Sequence, residues 1–170
     1  MNVVETQTRT IEITGAARLD PIKVFLNDVG PGAGHITITC YGQSWSGYWG
    51  GMGDRSLAKF FVACDEHYIA GKISNTKSSV FDPDGLKAMM KKLVIQQLRS
   101  REIKPGEARE LYDQINDLET FDQCPWHESD LMQRVIGDDW HLAMPEKVNP
   151  DYEYLCRIIR AVQEALRTMP

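Results

Sequence analysis

The chain has 170 residues, of which 42% are hydrophobic and 25% charged, and its formal net charge is −5. This composition is typical of a globular protein and excludes a disordered chain, and no apolar run approaches the roughly 20 residues that span a bilayer. The first residues lack the basic and apolar regions of a signal peptide, so we expect a cytoplasmic protein with four free cysteine thiols.

The first part of the chain alternates apolar and polar residues, which predicts an antiparallel meander. We expect strands over residues 10–14, 22–26, 35–41 and 44–49, with a Gly/Pro hairpin loop over residues 30–34. In the fourth strand Trp45 and Trp49 share one face, which favours packing in the core, whereas Tyr48 lies on the other face and is the better surface candidate.

A helix and a further short strand are expected to follow the meander. Asp54 is placed to cap a helix whose buried face is spaced as Leu57, Phe60, Phe61 and Cys64. Residues 68–73 read as a short strand and residues 74–79 as a polar connection.

The remaining chain carries four helix-start signals, at Asp82-Pro83, Pro105, Ser129 and Asn149-Pro150. Strands followed by helices predict an α+β fold, with a mostly antiparallel sheet of three to five strands packed by helices. We expect a single domain over residues 1–170, strand-rich over 1–73 and helical over 82–170.

The charges are segregated along the chain. Residues 87–105 carry six Lys/Arg against one Asp/Glu, whereas residues 106–155 carry three against thirteen. The acidic stretch is either a solvated surface or a surface that attracts a basic partner and speeds the encounter. The candidate partner-binding residues are Asp113, Asp117, Glu119, Asp122, Asp138 and Asp139, together with the surface aromatic Tyr48.

The basic segment has its own two interpretations. Its cations could bind nucleic acid, although they lack interleaved aromatic residues, or they could form a solvated helix face. They are Lys87, Lys91, Lys92, Arg99, Arg101 and Lys104.

Two Cys-x₂-His pairs could together supply the four ligands of a zinc site. The pairs are Cys64 with His67 and Cys124 with His127. Because they are far apart in the sequence and no Cys-x₂-Cys accompanies them, buried thiols beside incidental histidines are the alternative. We therefore expect no cofactor, with zinc as the alternative.

No motif indicates catalysis. The glycine-rich loop over residues 47–55 lacks the Lys-Ser/Thr of a phosphate-binding loop and places Asp54 where the phosphate would lie. Around Ser44 and Ser46 the nucleophile elbow is incomplete, because Ser46 occupies the place of its second glycine. We expect a protein that is not an enzyme.

The segment over residues 41–55, Tyr-Gly-Gln-Ser-Trp-Ser-Gly-Tyr-Trp-Gly-Gly-Met-Gly-Asp-Arg, continues through Phe60-Phe61 to Tyr68-Ile69. It resembles accessory proteins of enterobacterial phages and prophages that have no assigned activity. The resemblance covers the first half of the chain and implies a small protein made in a bacterial cytoplasm to alter host physiology or defence.

Together these observations predict a non-enzymatic, phage-like accessory protein that binds a bacterial protein through its acidic helical surface. We expect the protein to inhibit a host or defence enzyme that handles nucleic acid. The alternative is a zinc-stabilised regulatory domain that binds nucleic acid through the basic helix.

Overall fold

A computed structural model describes residues 1–3, 5, 7–118 and 129–169. The strands are β1 Arg9–Ile13, β2 Ile22–Gly30, β3 Ala33–Cys40, β4 Gln43–Trp49, β5 Ser79–Phe81 and β6 Glu146–Val148. The helices are α1 Leu57–Ala63, α2 Glu66–Ile73, α3 Pro83–Ser100, α4 Pro105–Asn116, α5 Ser129–Val135 and α6 Pro150–Thr168, and a 3₁₀ turn spans Trp140–Leu142.

The chain divides into two compact units, one of residues 1–78 with 149–170 and one of residues 79–148. The α+β fold is confirmed, with the antiparallel sheet first in the chain and most helices after it. The last helix, however, belongs to the unit of the sheet. The single domain expected over residues 1–170 stays a prediction.

In the first unit, β1 to β4 form an antiparallel sheet in chain order, as the meander predicts. The inward residues of the two central strands are buried, among them Ile22, Val24, Ile36 and Ile38 at 0% exposure. Helices α1, α2 and α6 supply the other side of this core. Burying such a β-branched side chain contributes roughly 1.5–3 kcal/mol, so these alternating rows fix the register of the strands.

Two local predictions in the first unit are wrong. Ser56, rather than Asp54, caps α1, and Asp28 on β2 accepts a further hydrogen bond from the Leu57 amide at 2.7 Å. Residues 68–73 are helical instead of extended, because the Asp65 carboxylate accepts from the amides of His67 and Tyr68 and so starts α2.

The second unit contains α3, α4 and α5 around a separate apolar core. Its helix starts at Pro83, Pro105 and Ser129 agree with the sequence signals. The two-stranded ribbon of β5 and β6 was not predicted, since the predicted connection ends at Ser79, the first residue of β5, and the partner strand Glu146–Val148 begins 65 residues beyond Phe81.

Candidate functional site

The four described acidic candidates lie in the second unit and are exposed. Asp113 lies on α4 and Asp117 caps the end of that helix. Asp138 and Asp139 follow α5, where Asp138 accepts a hydrogen bond from Gln133 Nε2 at 2.5 Å. Glu119 and Asp122 lie outside the described residues. The acidic candidates therefore fall into an α4 pair and a pair that follows α5.

The net charge of the chain resides in this unit. The first unit carries ten Lys/Arg and ten Asp/Glu, whereas residues 79–148 carry nine and fourteen. Within the described part of the chain there is one ion pair with an N–O distance below 4 Å, between Lys147 and Asp82 at 3.6 Å. The acids of α4 are thus not neutralised by direct pairing with the basic helix α3.

An open apolar groove of about 410 Å³ lies between α3 and α4. Val94, Ile95 and Leu98 line it from α3, and Pro105, Ala108, Arg109, Tyr112 and Asp113 from the start of α4 onwards. Ile95 is 41% exposed and Tyr112 37% exposed, although their neighbours Val94 and Ala108 are buried. Two large side chains, Ile95 and Tyr112, are therefore exposed in the groove together with the Asp113 carboxylate.

The basic residues do not form one stripe on α3. Lys87 and Lys91 lie one turn apart, whereas Lys92 and Arg99 lie on another side of the helix. The Lys91 ammonium lies 5.3 Å from the centre of the Tyr112 ring, so this cation contacts the aromatic wall of the groove. A continuous cationic track of the kind that follows a nucleic-acid backbone is not formed by these four side chains.

The described residues contain no group of three or more His, Cys, Asp or Glu side chains that could hold a metal ion. Of the zinc candidates, Cys64 ends α1 and His67 lies in the first turn of α2. Cys124 and His127 lie outside the described residues, so the four-ligand hypothesis stays untested.

His67 belongs to a cluster that sequence spacing could not reveal. Its Nδ1 lies 3.0 Å from the Tyr152 hydroxyl and 3.9 Å from Cys156 Sγ, and the His67 and Tyr152 rings stack with 5.7 Å between centres. A Cys-His pair is a possible nucleophile and base. Burial raises the pKa of Cys156, and the charge of Glu66 raises this pKa further, which favours the unreactive thiol.

We therefore predict that Cys156 is chemically inert. At pH 8 its alkylation by iodoacetamide should be roughly tenfold or more slower in the native chain than in the urea-denatured chain, followed by peptide mass spectrometry. The His67→Ala variant should not slow the reaction further. A rate that falls with His67→Ala would instead show that the imidazole activates the thiol.

The aromatic candidates of β4 separate as expected from their parity. Trp49 is 5% exposed and donates from Nε1 to the Tyr68 hydroxyl at 3.1 Å, whereas Tyr48 is 52% exposed opposite His35 on β3. Trp45 is half-buried in a cleft of about 310 Å³ with Tyr154. The hydrogen bond between Tyr154 and Cys40, together with burial, raises the pKa of Tyr154 to about 12, so this phenol is neutral at physiological pH.

A family model described as a phage family, Phage_phiTE_072, matches residues 1–168. No curated protein and no solved structure matches the chain. Among the described helices, none is both long enough and apolar enough to cross a membrane.

Proposed function

The chain belongs to this phage family, and we propose that it is a non-enzymatic accessory protein that binds a bacterial protein in the cytoplasm of the infected cell. The observation that carries the proposal is the apolar groove between α3 and α4 with Asp113 at its rim. The occupant that we propose is a segment of the partner with apolar anchors and basic flanks.

The groove is suited to anchor side chains. Grooves that bind amphipathic segments take a few apolar anchors, and most of the binding energy comes from such anchors when they are fully covered. Ile95 and Tyr112 already expose apolar surface there, and the volume of about 410 Å³ admits a few side chains. Covering this surface removes it from water, which is favourable by roughly 25 cal/mol per Å².

The carboxylates of α4 favour basic flanks on the occupant. Glu110, Asp113 and Asp117 are exposed on and after α4, whereas the cations at the groove are Arg109, which lines it, and Lys91, which lies over the Tyr112 ring. Opposite charges on the partner would steer the encounter and raise the association rate more than the affinity. Enzymes that handle nucleic acid carry basic grooves, and they are therefore the class of partner that we propose.

The test is affinity co-purification of the tagged chain from a nuclease-treated bacterial lysate, repeated with paired variants. Ile95→Asp is expected to lower recovery of the partner at least about tenfold, because it places a charge in the apolar groove. Leu142→Asp is the matched control, since Leu142 is 78% exposed in the same unit and does not line the groove. Equal losses in both variants, or in neither, would contradict a docking role for the groove.

Charge reversal separates the two acidic pairs. Asp113→Lys with Asp117→Lys is expected to lower the association rate about tenfold or more at low salt, whereas Glu12→Lys with Asp54→Lys makes the same change of net charge in the first unit and should have little effect. Asp138→Lys with Asp139→Lys tests the second pair. Biosensor kinetics at two salt concentrations measure all three, and indistinguishable rates would refute acidic steering.

A further inference from the structure

A second cavity, in the first unit, combines three cations with an apolar floor. It has a volume of about 270 Å³ and lies where α1, the end of α6 and the start of β1 meet. Arg9 from β1, Lys59 from α1 and Arg167 from α6 line it, with the Ser56 hydroxyl beside them. Ala58, Val62, Leu166 and Met169 complete the lining.

All three cations are exposed, and contacts within the unit hold the two guanidinium groups. Arg9 Nη2 contacts Met169 Sδ at 3.7 Å, and Arg167 Nη2 donates to the Val62 carbonyl at 3.5 Å. In the ranges that the structure describes, none of the three forms an ion pair within 4 Å, and the cavity has no acidic lining residue. Each guanidinium keeps further N–H donors, since it has five in all.

Convergence of like charges is unfavourable unless an opposite charge joins them. The unit as a whole has balanced charges, so the excess of positive charge is local to this cavity. Two guanidinium forks and an ammonium match the oxygens of a phosphate or a carboxylate, because such groups accept several charge-assisted hydrogen bonds at once. The half-buried Val62 and the buried Leu166 offer apolar contact to the rest of the ligand.

We propose that this cavity binds a small anionic ligand, a phosphate monoester or a carboxylate, whose apolar portion packs against Val62 and Leu166. The volume lies just below the range of about 300–1,000 Å³ found for small-molecule sites, so the cavity is suited to a small ligand. This site is independent of the groove between α3 and α4.

The test uses four six-carbon probes and inorganic phosphate, with binding measured by isothermal titration calorimetry. Hexyl phosphate or hexanoate should bind, inorganic phosphate should bind more weakly than hexyl phosphate, and hexanol and hexylammonium should not bind measurably. The tighter of the two anionic probes identifies the headgroup. Absence of binding by both anionic probes at millimolar concentration would overturn the proposal.

Paired variants locate the binding. Arg167→Gln and Lys59→Gln should each raise the dissociation constant of the bound probe at least about tenfold, because each removes a charge-assisted hydrogen bond. Arg160→Gln, an exposed position on the same helix outside the cavity, is the matched control. Far-UV circular dichroism verifies that each variant is folded. Affinities unchanged in both cavity variants, or lowered equally in the control, would refute the assigned site.

Discussion

The Gly32→Ala variant is expected to lose about 3 kcal/mol of its free energy of unfolding, one of the two largest effects that the structure predicts. Gly32 follows Pro31 in the two-residue turn between β2 and β3 and has φ +65°, a left-handed conformation that costs other residues roughly 1–2 kcal/mol. A Cβ built there would lie next to the Gly53 carbonyl oxygen, far inside contact distance.

The backbone around this turn has little freedom to move away. The Met52 amide donates to the Gly32 carbonyl at 2.8 Å, and the Met52 side chain is buried at 0% exposure. The methyl group therefore has to displace a segment that is tied to the core. Overpacking of this kind costs typically about 1–3 kcal/mol in addition to the conformational penalty.

Two other glycines separate these contributions. At Gly42 the backbone has φ +74°, but no atom lies within 4 Å of an added Cβ. The Gly42→Ala variant therefore has the penalty for positive φ without a clash, and we expect it to lose about 1–2 kcal/mol of its free energy of unfolding. Gly30→Ala has neither problem and should change stability by less than about 0.5 kcal/mol. Urea denaturation gives all three values, and equal losses at Gly32 and Gly42 would contradict the clash with Gly53.

The sheet was predictable because its signals are local. In β3 the apolar residues alternate strictly, in β2 Ile22, Val24 and Leu26 share one face, and Pro31-Gly32 supplies the turn between the two strands. The helix starts at Pro83, Pro105 and Pro150 were equally readable, since proline is suited to the first turn of a helix. Asn149 Oδ1 accepts a hydrogen bond from the Asp151 amide at 3.0 Å, which is the capping contact expected at such a start.

Helix α2 shows where local reading fails. Residues 68–73 form a short run with Tyr68 and two isoleucines that is compatible with either a strand or a helix. Its buried residues, Ile69, Ala70 and Ile73, have helical spacing, and the cap at Asp65 precedes the run instead of lying within it. These local signals leave both a strand and a helix open, and packing of α2 against α6, which lies far away in the sequence, decides between them.

The candidate sites could be predicted only in part for the same reason. The acidic residues are visible as a block in the sequence, and Asp113 does lie at the rim of a groove. The exposure of Ile95 and Tyr112 was not visible, because Tyr112 fits the apolar stripe of α4 and Ile95 lies within an apolar run of α3. Arg9, Lys59 and Arg167 come from three distant elements, and their convergence is a property of the fold alone.

Gln163 on α6 supports the second large prediction. Among the described residues, Gln163 is the one polar residue that is buried, at 4% exposure. Its Nε2 donates to the Phe61 carbonyl at 3.0 Å and to the Cys64 carbonyl at 2.7 Å, so both amide protons are used. The last carbonyls of a helix have no partner within the helix, and Gln163 supplies donors to this end of α1.

The Gln163→Leu variant should therefore lose about 2–3 kcal/mol of its free energy of unfolding, because the Cys64 carbonyl loses the Gln163 donor and the Phe61 carbonyl keeps the Cys64 amide at 3.4 Å, while the added apolar surface offsets only part of the cost. Glu164→Leu, at the neighbouring exposed position, is the control and should change stability by less than about 0.5 kcal/mol. Chemical denaturation at pH 8 measures both.

Gln163→Glu distinguishes the loss of hydrogen bonds from a change of shape. At pH 8 the introduced carboxylate has no proton to donate and faces two carbonyl oxygens, so this variant should be less stable than Gln163→Leu despite its native size. Burial beside the carbonyls raises the pKa of the introduced carboxyl group above its value of about 4.3 in the unfolded chain. The folded state then binds more protons than the unfolded state, so stability should rise as the pH falls towards this value and one O–H donor is restored. If Gln163→Glu were as stable as the wild type at pH 8, the two hydrogen bonds could not be what holds α6 against the end of α1.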